Sequence, residues 1–470
     1  MEILNLIEEK ANLLASSKSI REAIAEIVDE GSFVEVGALS FAATDSILGK
    51  SGEGVITGYG LVDGVPCYLF AQNSEVLAGG FSKAHAEKIA NIYAKAASTA
   101  TPVIGILDSY GARINDGISA LEGYALFLGN AARFSGIAPQ ICVVLGQACG
   151  VISSFASLCD YCITLDKSVL ATVSPAVMSG KENSKHPGEK LIGSDFAEKC
   201  GISSLTVKKA DLKEAISAFL NFTVCEDDFA AEDMDGNAIY SNDVSSEQFV
   251  KALADNGEYL ELNKNYGLEI KTYLLKLAGK NVGLSFAEGK LSADSIKKTA
   301  RFVQMLDLFE MPYISVVSSD GLKVSLKEEE KGLSKEYAKL IYVLAAASNV
   351  KLSVVAKCAT GASYVALASK NSNFDNVVAF DGAVISPLSS DTAVEVYFAD
   401  VLKTVEDKDA LREKLLKTYE EEKANAIVAA KDGYVDNVIE PAFIKNYLVS
   451  ALQMLLYKND ESAISGNMPL

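Results

Sequence analysis

The sequence predicts an α/β protein made of two similar halves, and three observations carry that expectation. Apolar runs that end in glycine, TPVIGILDSYGAR at 101–113 and ICVVLGQACG at 141–150, alternate with stretches of helical period. Strands apolar along their whole length, separated by helices, imply parallel pairing and right-handed crossovers. The chain's 470 residues exceed the roughly 250–300 at which a single hydrophobic core stops growing. The second half also replays the first: Pro102 and Gly111 match Pro312 and Gly321 at an offset of 210, Val143-Val144 match Val354-Val355 at 211, and Ser174-Pro175 match Ser386-Pro387 at 212. Loop lengths in this fold class vary freely, so a near-constant offset points to internal duplication.

Taken in order, residues 1–30 alternate apolar and charged positions at helical spacing and end in REAIAEIVDEGSF, where Gly31 suits a C-terminal stop. From 33 to 70 the pattern is strand-like, and Asp63-Gly64 reads as a two-residue hairpin turn. Gly79 and Gly80 precede FSKAHAEKIANIYAKAAST, a helix with one apolar face. Pro102 opens the first buried strand, with Asp108, Ser109, Tyr110 and Gly111 at its exit. The second buried strand is followed by a helix, ISSFASLCDY, then strands CITL and SVLATVSP. GKENSKHPGEKLIGSDF is polar without a period and predicts a surface excursion or lid. Residues 205–222 return to strand-helix character, and CEDDFAAEDMDGN is an acidic, turn-rich linker. A boundary near Asp235 gives domains 1–235 and 236–470. The chain closes with a charged helical stretch over 411–429, the segment GYVDNVIEP, and the amphipathic FIKNYLVSALQMLLYK.

Composition excludes several classes of function. A formal charge of −19 argues against nucleic acid, whose binding needs a basic face that releases counterions. The opening MEILNLIEEKANLL is acidic and helical, unlike a secretory signal, and no apolar run reaches the ~18 residues of a membrane span. A soluble cytoplasmic protein is expected. Cys67, Cys142, Cys149 and Cys358 lie in apolar runs and read as small buried thiols. Cys159 and Cys162 form a C-x-x-C without a second pair at zinc-ribbon spacing, so no metal is expected. The only histidines are His85 and His186, too few for metal or triad chemistry built on imidazole.

Gly146 and Gly150, followed by a helix, give the sharpest chemical signal. A glycine turn entering a helix presents unpaired N–H groups and the positive end of the dipole, an arrangement that binds an oxyanion. A second donor would come from the neighbouring strand exit, at Gly111 or Ala112. Two converging donors suit an enolate oxygen. Arg113 reads equally as a phosphate or carboxylate contact and as a loop anchor. Asp108, Asp116 and Glu122 could form an acid and base pair, but solvated acids at a helix start are the preferred reading, because the dipole favours them there. GYGLVDG lacks the third glycine and the strand-to-helix setting of a dinucleotide fingerprint. No Walker loop, G-x-S-x-G elbow or H-E-x-x-H occurs.

These residues carry a resemblance. DEGSFVEV, VITGYGLVDGVPCYLFAQ, AHAEKIANIYAKA, TPVIGILDSYGARI, GIAPQICVVLGQACG, RFVQMLDLFEMPYISVV, YAKLIYVLAAASNVKLSVVAKCATGASY and GYVDNVIEP span nearly the whole chain. They resemble the carboxyltransferase family of biotin-dependent acyl-CoA carboxylases and decarboxylases, of the propionyl-CoA carboxylase beta-subunit type. The resemblance implies two crotonase-like ββα-superhelix domains and the transfer of a carboxyl group between biotin and a short-chain acyl-CoA. The N-terminal half would hold acyl-CoA and the C-terminal half of a partner subunit would hold biotin. By position, Gly150 and Val151 would form the hole for the thioester oxygen, and Gly361 and Ala362 the hole for the biotin ureido oxygen. Gly111, Ala112, Arg113 and Tyr364 would line the substrate.

The implied partners are a biotin carboxyl carrier protein, because the chain has no Met-Lys-Met attachment motif, and a biotin carboxylase or a membrane decarboxylase subunit. A dimer-built homo-oligomer, a hexamer, is expected as well. The family's paired glycines are replaced here by Tyr110-Gly111, Gly150-Val151 and Thr360-Gly361, and Tyr364 stands where many carboxylases have an aspartate that shapes the acyl pocket. The second-half exit reads SSDGLKVS instead of the family's proline-glycine-phenylalanine turn. These substitutions motivate a rival reading, a non-catalytic scaffold of the same fold within such a complex.

Overall fold

The computed structural model describes residues 17–38, 53–182, 188–225, 239, 241–403 and 408–458. The chain divides into two compact units, Met1–Cys225 and Glu226–Leu470. The stretch around Asp235, the first sixteen residues and His186 lie outside the described residues.

The first described helix of the first unit is α1 (Lys18–Ile27), whose inner face is Ile20, Ala23, Ile24 and Ile27. Strands β1 (Val34–Glu35), β2 (Val55–Val62) and β3 (Val65–Gln72) pair antiparallel. The turn between β2 and β3 is Asp63-Gly64, with φ of 46° and 80°. Two residues with positive φ match the right-handed twist of the flanking strands, the reason this dipeptide makes hairpins. Asp29 accepts hydrogen bonds from both turn amides, at 3.0 Å from Asp63 N and 2.9 Å from Gly64 N.

Helix α2 (Lys83–Thr99) starts at Ser82, whose Oγ accepts from the His85 amide, and it buries Ala86, Ile89, Ile92, Tyr93 and Ala96. Strand β4 (Val103–Ser109), helix α3 (Ile118–Phe134) and strand β5 (Gln140–Cys149) follow. The predicted helix after β5 is a 3₁₀ turn, Gly150–Ser153, running into a short α4 (Ser154–Leu158). Then come β6 (Tyr161–Leu165), β7 (Val169–Ala171) and β8 (Leu205–Val207). Of the polar stretch at 180–196, residues 183–187 lie outside the described residues, and its flanks belong to short helices at Pro175–Lys181, Gly188–Ile192 and Ser194–Lys199. Among the described residues the sheet runs β1-β2-β3-β4-β5-β6-β8, with β7 on the far end of β5. All pairs from β3 onward are parallel.

Behind β4 and β5 lies an aromatic cluster. Phe70, Phe127 and Phe155 are fully buried, with ring centroids 5.6 Å apart for Phe70–Phe127 and 4.9 Å for Phe127–Phe155. Burying each ring stabilises the unit by ~1.5–3 kcal/mol. Gly105 makes this packing possible, because a Cβ there would stand 2.4 Å from Phe70 Cζ and 2.6 Å from Phe155 Cε1.

The second unit repeats the plan strand for strand. Its strands are β9 (Tyr259–Leu262), β10 (Ile270–Leu277), β11 (Lys280–Leu291), β12 (Tyr313–Leu322), β13 (Lys351–Thr360), β14 (Asn376–Phe380), β15 (Val384–Ser386) and β16 (Asn437–Ile439). They run in the order β9-β10-β11-β12-β13-β14-β16, with β15 on the far end of β13. The β10–β11 hairpin turns at Ala278-Gly279, again with positive φ, and Asp255 accepts from both amides as Asp29 does.

The duplication extends to irregularities. The β4–β5 ladder slips between Leu107 and Ser109, and the β12–β13 ladder slips between Val317 and Ser319. One expected match fails: Cys149 pairs with Ala171 and Thr360 pairs with Ser386. Ser386 therefore occupies the place of Ala171, 215 residues on, and Ser389, which opens the helix Ser390–Tyr397, corresponds to Ser174. The segment between β13 and β15, which includes β14, is longer than its counterpart between β5 and β7, and a match of two residues could not register that.

Candidate active site

The two strand exits of the first unit open side by side. Gly111, just past β4, has φ of +125°, and a Cβ built on it would lie 3.7 Å from the Cys149 carbonyl oxygen at the end of β5. Gly150 has φ of +85°, a conformation L side chains rarely adopt. Nothing lies within 4 Å of where its Cβ would be. Glycine at 150 is therefore required by the backbone turn and not by crowding. Gly150 and Val151 begin the 3₁₀ turn, so their amides have no acceptor within it. Ser153 Oγ donates to the Gly150 carbonyl at 2.7 Å and braces the turn from behind. The Val151 side chain is 49% exposed at the mouth.

Gly146 is not part of this turn. It lies inside β5, where a Cβ would come within 2.5 Å of Asp108 Oδ1. The missing side chain admits the Asp108 carboxylate, which accepts from Gln147 N at 3.1 Å and from Ser74 Oγ. Asp108 thus fastens β4 to β5 at the point where their regular pairing slips. Of the other two acids, Asp116 lies 3.9 Å from the Arg113 guanidinium and Glu122 is exposed on α3. No acid and base pair is assembled from these three.

At the β4 exit, Gly111 N donates to Ser109 Oγ at 3.2 Å, so that amide is already committed. Ala112 forms an isolated parallel bridge with Phe81, through Phe81 N to Gly111 O and Arg113 N to Phe81 O, both 3.0 Å. In a parallel bridge the central residue turns its own N–H to the opposite side. Ala112, rather than Gly111, is the outward donor. Arg113 does not reach out to a ligand: its side chain is 10% exposed and bonds to Glu53 Oε2 at 2.8 Å. Arg113 is thereby tied to Glu53, sixty positions earlier in the chain.

Neither the thiol nor the imidazole near this exit is ionised at neutral pH. Burial pushes the Cys149 thiol up to about 11. His85 is wholly buried behind the exit, with Nδ1 3.2 Å from Glu53 O, and burial, reinforced by Lys88 and Arg113, lowers its pKa to about 3.

The second unit builds the matching exit with one difference. Gly321 has φ of +93°, its amide donates to Ser319 Oγ at 3.3 Å, and a Cβ there would lie 3.3 Å from Thr360 O. Gly361 has φ of +52°, but its N–H donates to Ser386 O at 3.0 Å, so it does not serve as a free donor. Ala362 starts the helix Ala362–Leu367, and its first-turn amide has no acceptor within the helix. Ser363 Oγ ties this turn back to Ser319 O and Thr360 O. Tyr364, half-buried on the same turn, has its pKa raised mainly by burial, with Tyr434 also raising it. Cys358 is half-exposed, not buried as expected, with Sγ 3.5 Å from Asp320 Oδ1, and its thiol is pushed up to about 12, mainly by burial.

Sequence reasoning missed Ser109 and Ser319, which close the two exit turns, although the aligned strings TPVIGILDSYG and MPYISVVSSDG place them opposite each other. It also missed Glu53, for which no local signal exists. Among the described residues no group of three or more His, Cys, Asp or Glu is placed to hold a metal, and no helix is long and apolar enough to cross a membrane.

Comparison with known proteins places the chain in a family. The family profile described as a carboxyl transferase domain matches residues 13–465. The methylmalonyl-CoA decarboxylase subunit alpha of Propionigenium modestum is 30% identical over 486 aligned residues, covering 97% of this chain and 94% of that one. The methylmalonyl-CoA carboxyltransferase 12S subunit of Propionibacterium freudenreichii subsp. shermanii is 28% identical, covering 96% and 91%. The crystal structure of transcarboxylase 12S, described as a hexamer assembly with methylmalonyl-coenzyme A and methylmalonic acid bound, superposes with a TM-score of 0.91 at 25% identity, over 100% of this chain and 98% of that one.

Proposed function

From the premise that the chain belongs to the carboxyl transferase domain family, we propose that it moves a carboxyl group between biotin and a short-chain acyl-CoA. It does so as a catalytic subunit of a biotin-dependent carboxylase or decarboxylase. The observation that carries the reading is the pair of matching exits, one per unit, each with a strand slip, a serine-closed glycine turn and an outward helix-start amide. In the first unit the amides of Gly150, Val151 and Ala112 stabilise negative charge on the thioester oxygen of the acyl-CoA. Proton removal next to that carbonyl is thereby favoured without a charged side chain.

In the second unit the fit to a ureido oxygen is through Ala362, with Gly361 shaping the turn. Biotin, brought by a carrier chain, supplies the nitrogen that holds and releases the carboxyl group. The carrier, a biotin carboxylase or membrane decarboxylase subunit, and assembly as a dimer-built hexamer in the cytoplasm belong to the same proposal. The domain division near residue 235 and the substrate-lining role of Tyr364 belong to it too.

The test is carboxyl exchange with free biotin and acetyl-, propionyl-, malonyl- or methylmalonyl-CoA. Exchange with one of them supports the reading. Absence of exchange with all four, together with absence of acyl-CoA binding in titration calorimetry, would leave the scaffold in its place.

A further inference from the structure

Each unit carries the same three-residue clamp beneath its β4-type exit. In the first unit Glu53 Oε2 accepts from Arg113 at 2.8 Å and from Ser82 Oγ at 3.2 Å. Ser82 is the cap of α2, and its neighbour Phe81 is the residue bridged to Ala112. In the second unit Glu269 Oε2 accepts from Ser292 Oγ at 2.6 Å, Glu269 Oε1 lies 3.6 Å from Lys323 Nζ, and Lys323 N donates to Leu291 O at 2.9 Å. Ser292 caps its helix as Ser82 does. Ser82 and Arg113 correspond to Ser292 and Lys323 at the offset of 210 that relates Gly111 to Gly321.

The two clamps differ in strength. The Arg113 and Glu53 side chains are 10% and 2% exposed, those of Lys323 and Glu269 50% and 25%. A buried guanidinium holds a carboxylate in a fixed geometry, whereas an exposed ammonium on a flexible stem is screened by water.

We propose that Glu53 and Arg113 are positioning residues that aim the Ala112 amide, and that Glu269 and Lys323 are a slackened copy. The side-chain clamp joins residues 53, 82 and 113, and the backbone bridge joins 81 and 112. Together they close a loop on either side of the one outward amide at this exit. The first exit is therefore held preorganised, while the second is free to adjust to its ligand. The catalytic consequence rests on the proposed carboxyl transfer, but the mechanical one does not.

The experiment uses the full chain and the variants Arg113→Met, Arg113→Lys, Glu53→Gln and Lys323→Met. Hydrogen exchange of the peptide covering 109–114 is expected to rise at least ~10-fold in Arg113→Met and Glu53→Gln, with the β4 and β5 interiors unchanged. In exchange assays, kcat is expected to fall ~10–100-fold with KM within about threefold, and Arg113→Lys to recover part of the loss. Lys323→Met is expected to have the smaller effect on both readouts.

Unchanged exchange at 109–114 in both first-unit variants would overturn the clamp. A raised KM at constant kcat would instead make Arg113 a substrate contact. If Arg113→Met fails to fold, Glu53→Gln decides, because it keeps the guanidinium. A wild-type chain without activity on any acyl-CoA would remove the proposed function and leave the exchange result standing.

Discussion

Gly150→Ala tests the site where the geometry is most explicit. The residue has φ of +85° and nothing within 4 Å of an added Cβ. The stability change is therefore a backbone term alone, ~1–2 kcal/mol for an L residue held in the left-handed region. In a domain of 150–250 residues each kcal/mol shifts the melting temperature by about 2–4 °C, so the fold survives with a loss of ~2–8 °C. The methyl group would enter open space beside the Gly150 and Val151 amides proposed to bind the thioester oxygen. Displacing an oxyanion from one such donor reduces kcat by ~10²–10³. The assay pairs a denaturant or thermal midpoint with initial rates of acyl-CoA carboxyl exchange. Turnover within threefold of wild type would remove Gly150 from the oxyanion hole. A stability loss above ~4 kcal/mol would show that the turn is packed, against the open-space geometry.

Gly105→Ala should behave in the opposite way, because its Cβ would collide with the Phe70 and Phe155 rings; a loss of ~1–3 kcal/mol or more in unfolding experiments is expected from overpacking. Stability should fall with acid in a window set by His85, whose pKa in the folded chain, about 3, lies below the ordinary imidazole value of about 6.5. Below pH ~6.5 the unfolded chain binds this proton and the folded chain does not, so stability declines toward ~1.4 kcal/mol per pH unit. His85→Gln should flatten that slope between pH 6.5 and 4.5, as read from denaturation midpoints. Asp255→Ala, which uncaps the second hairpin turn, should lower stability by about 1 kcal/mol, and Asp29→Ala, which uncaps the first and also loses the Lys213 ion pair, by at least as much; an unchanged denaturation midpoint in Asp255→Ala would contradict the capping role.

Much of the fold was legible because it depends on local pattern. The Asp63-Gly64 turn, the capped helix after Ser82 and the continuous apolar strands are set by residues within a few positions of one another, and each appears where its chemistry requires. The duplication was legible too, since two copies of a strand exit keep the same glycine and proline spacing. The glycine turn at 150 followed from the same logic.

What the pattern did not contain was the choice of partner across space. Gly146 looked like a turn glycine, yet it makes room for a carboxylate thirty-eight positions earlier in the chain. Arg113 had two equal readings until Glu53, sixty residues before it, took up its guanidinium. The Gly361 amide looked like a donor for a ligand, but Ser386 O already accepts from it. Two exits of one design are written in the residue pattern. Which amides at each exit remain turned outward depends on the folded chain, because a backbone donor is available only if no carbonyl or hydroxyl elsewhere in the fold reaches it first.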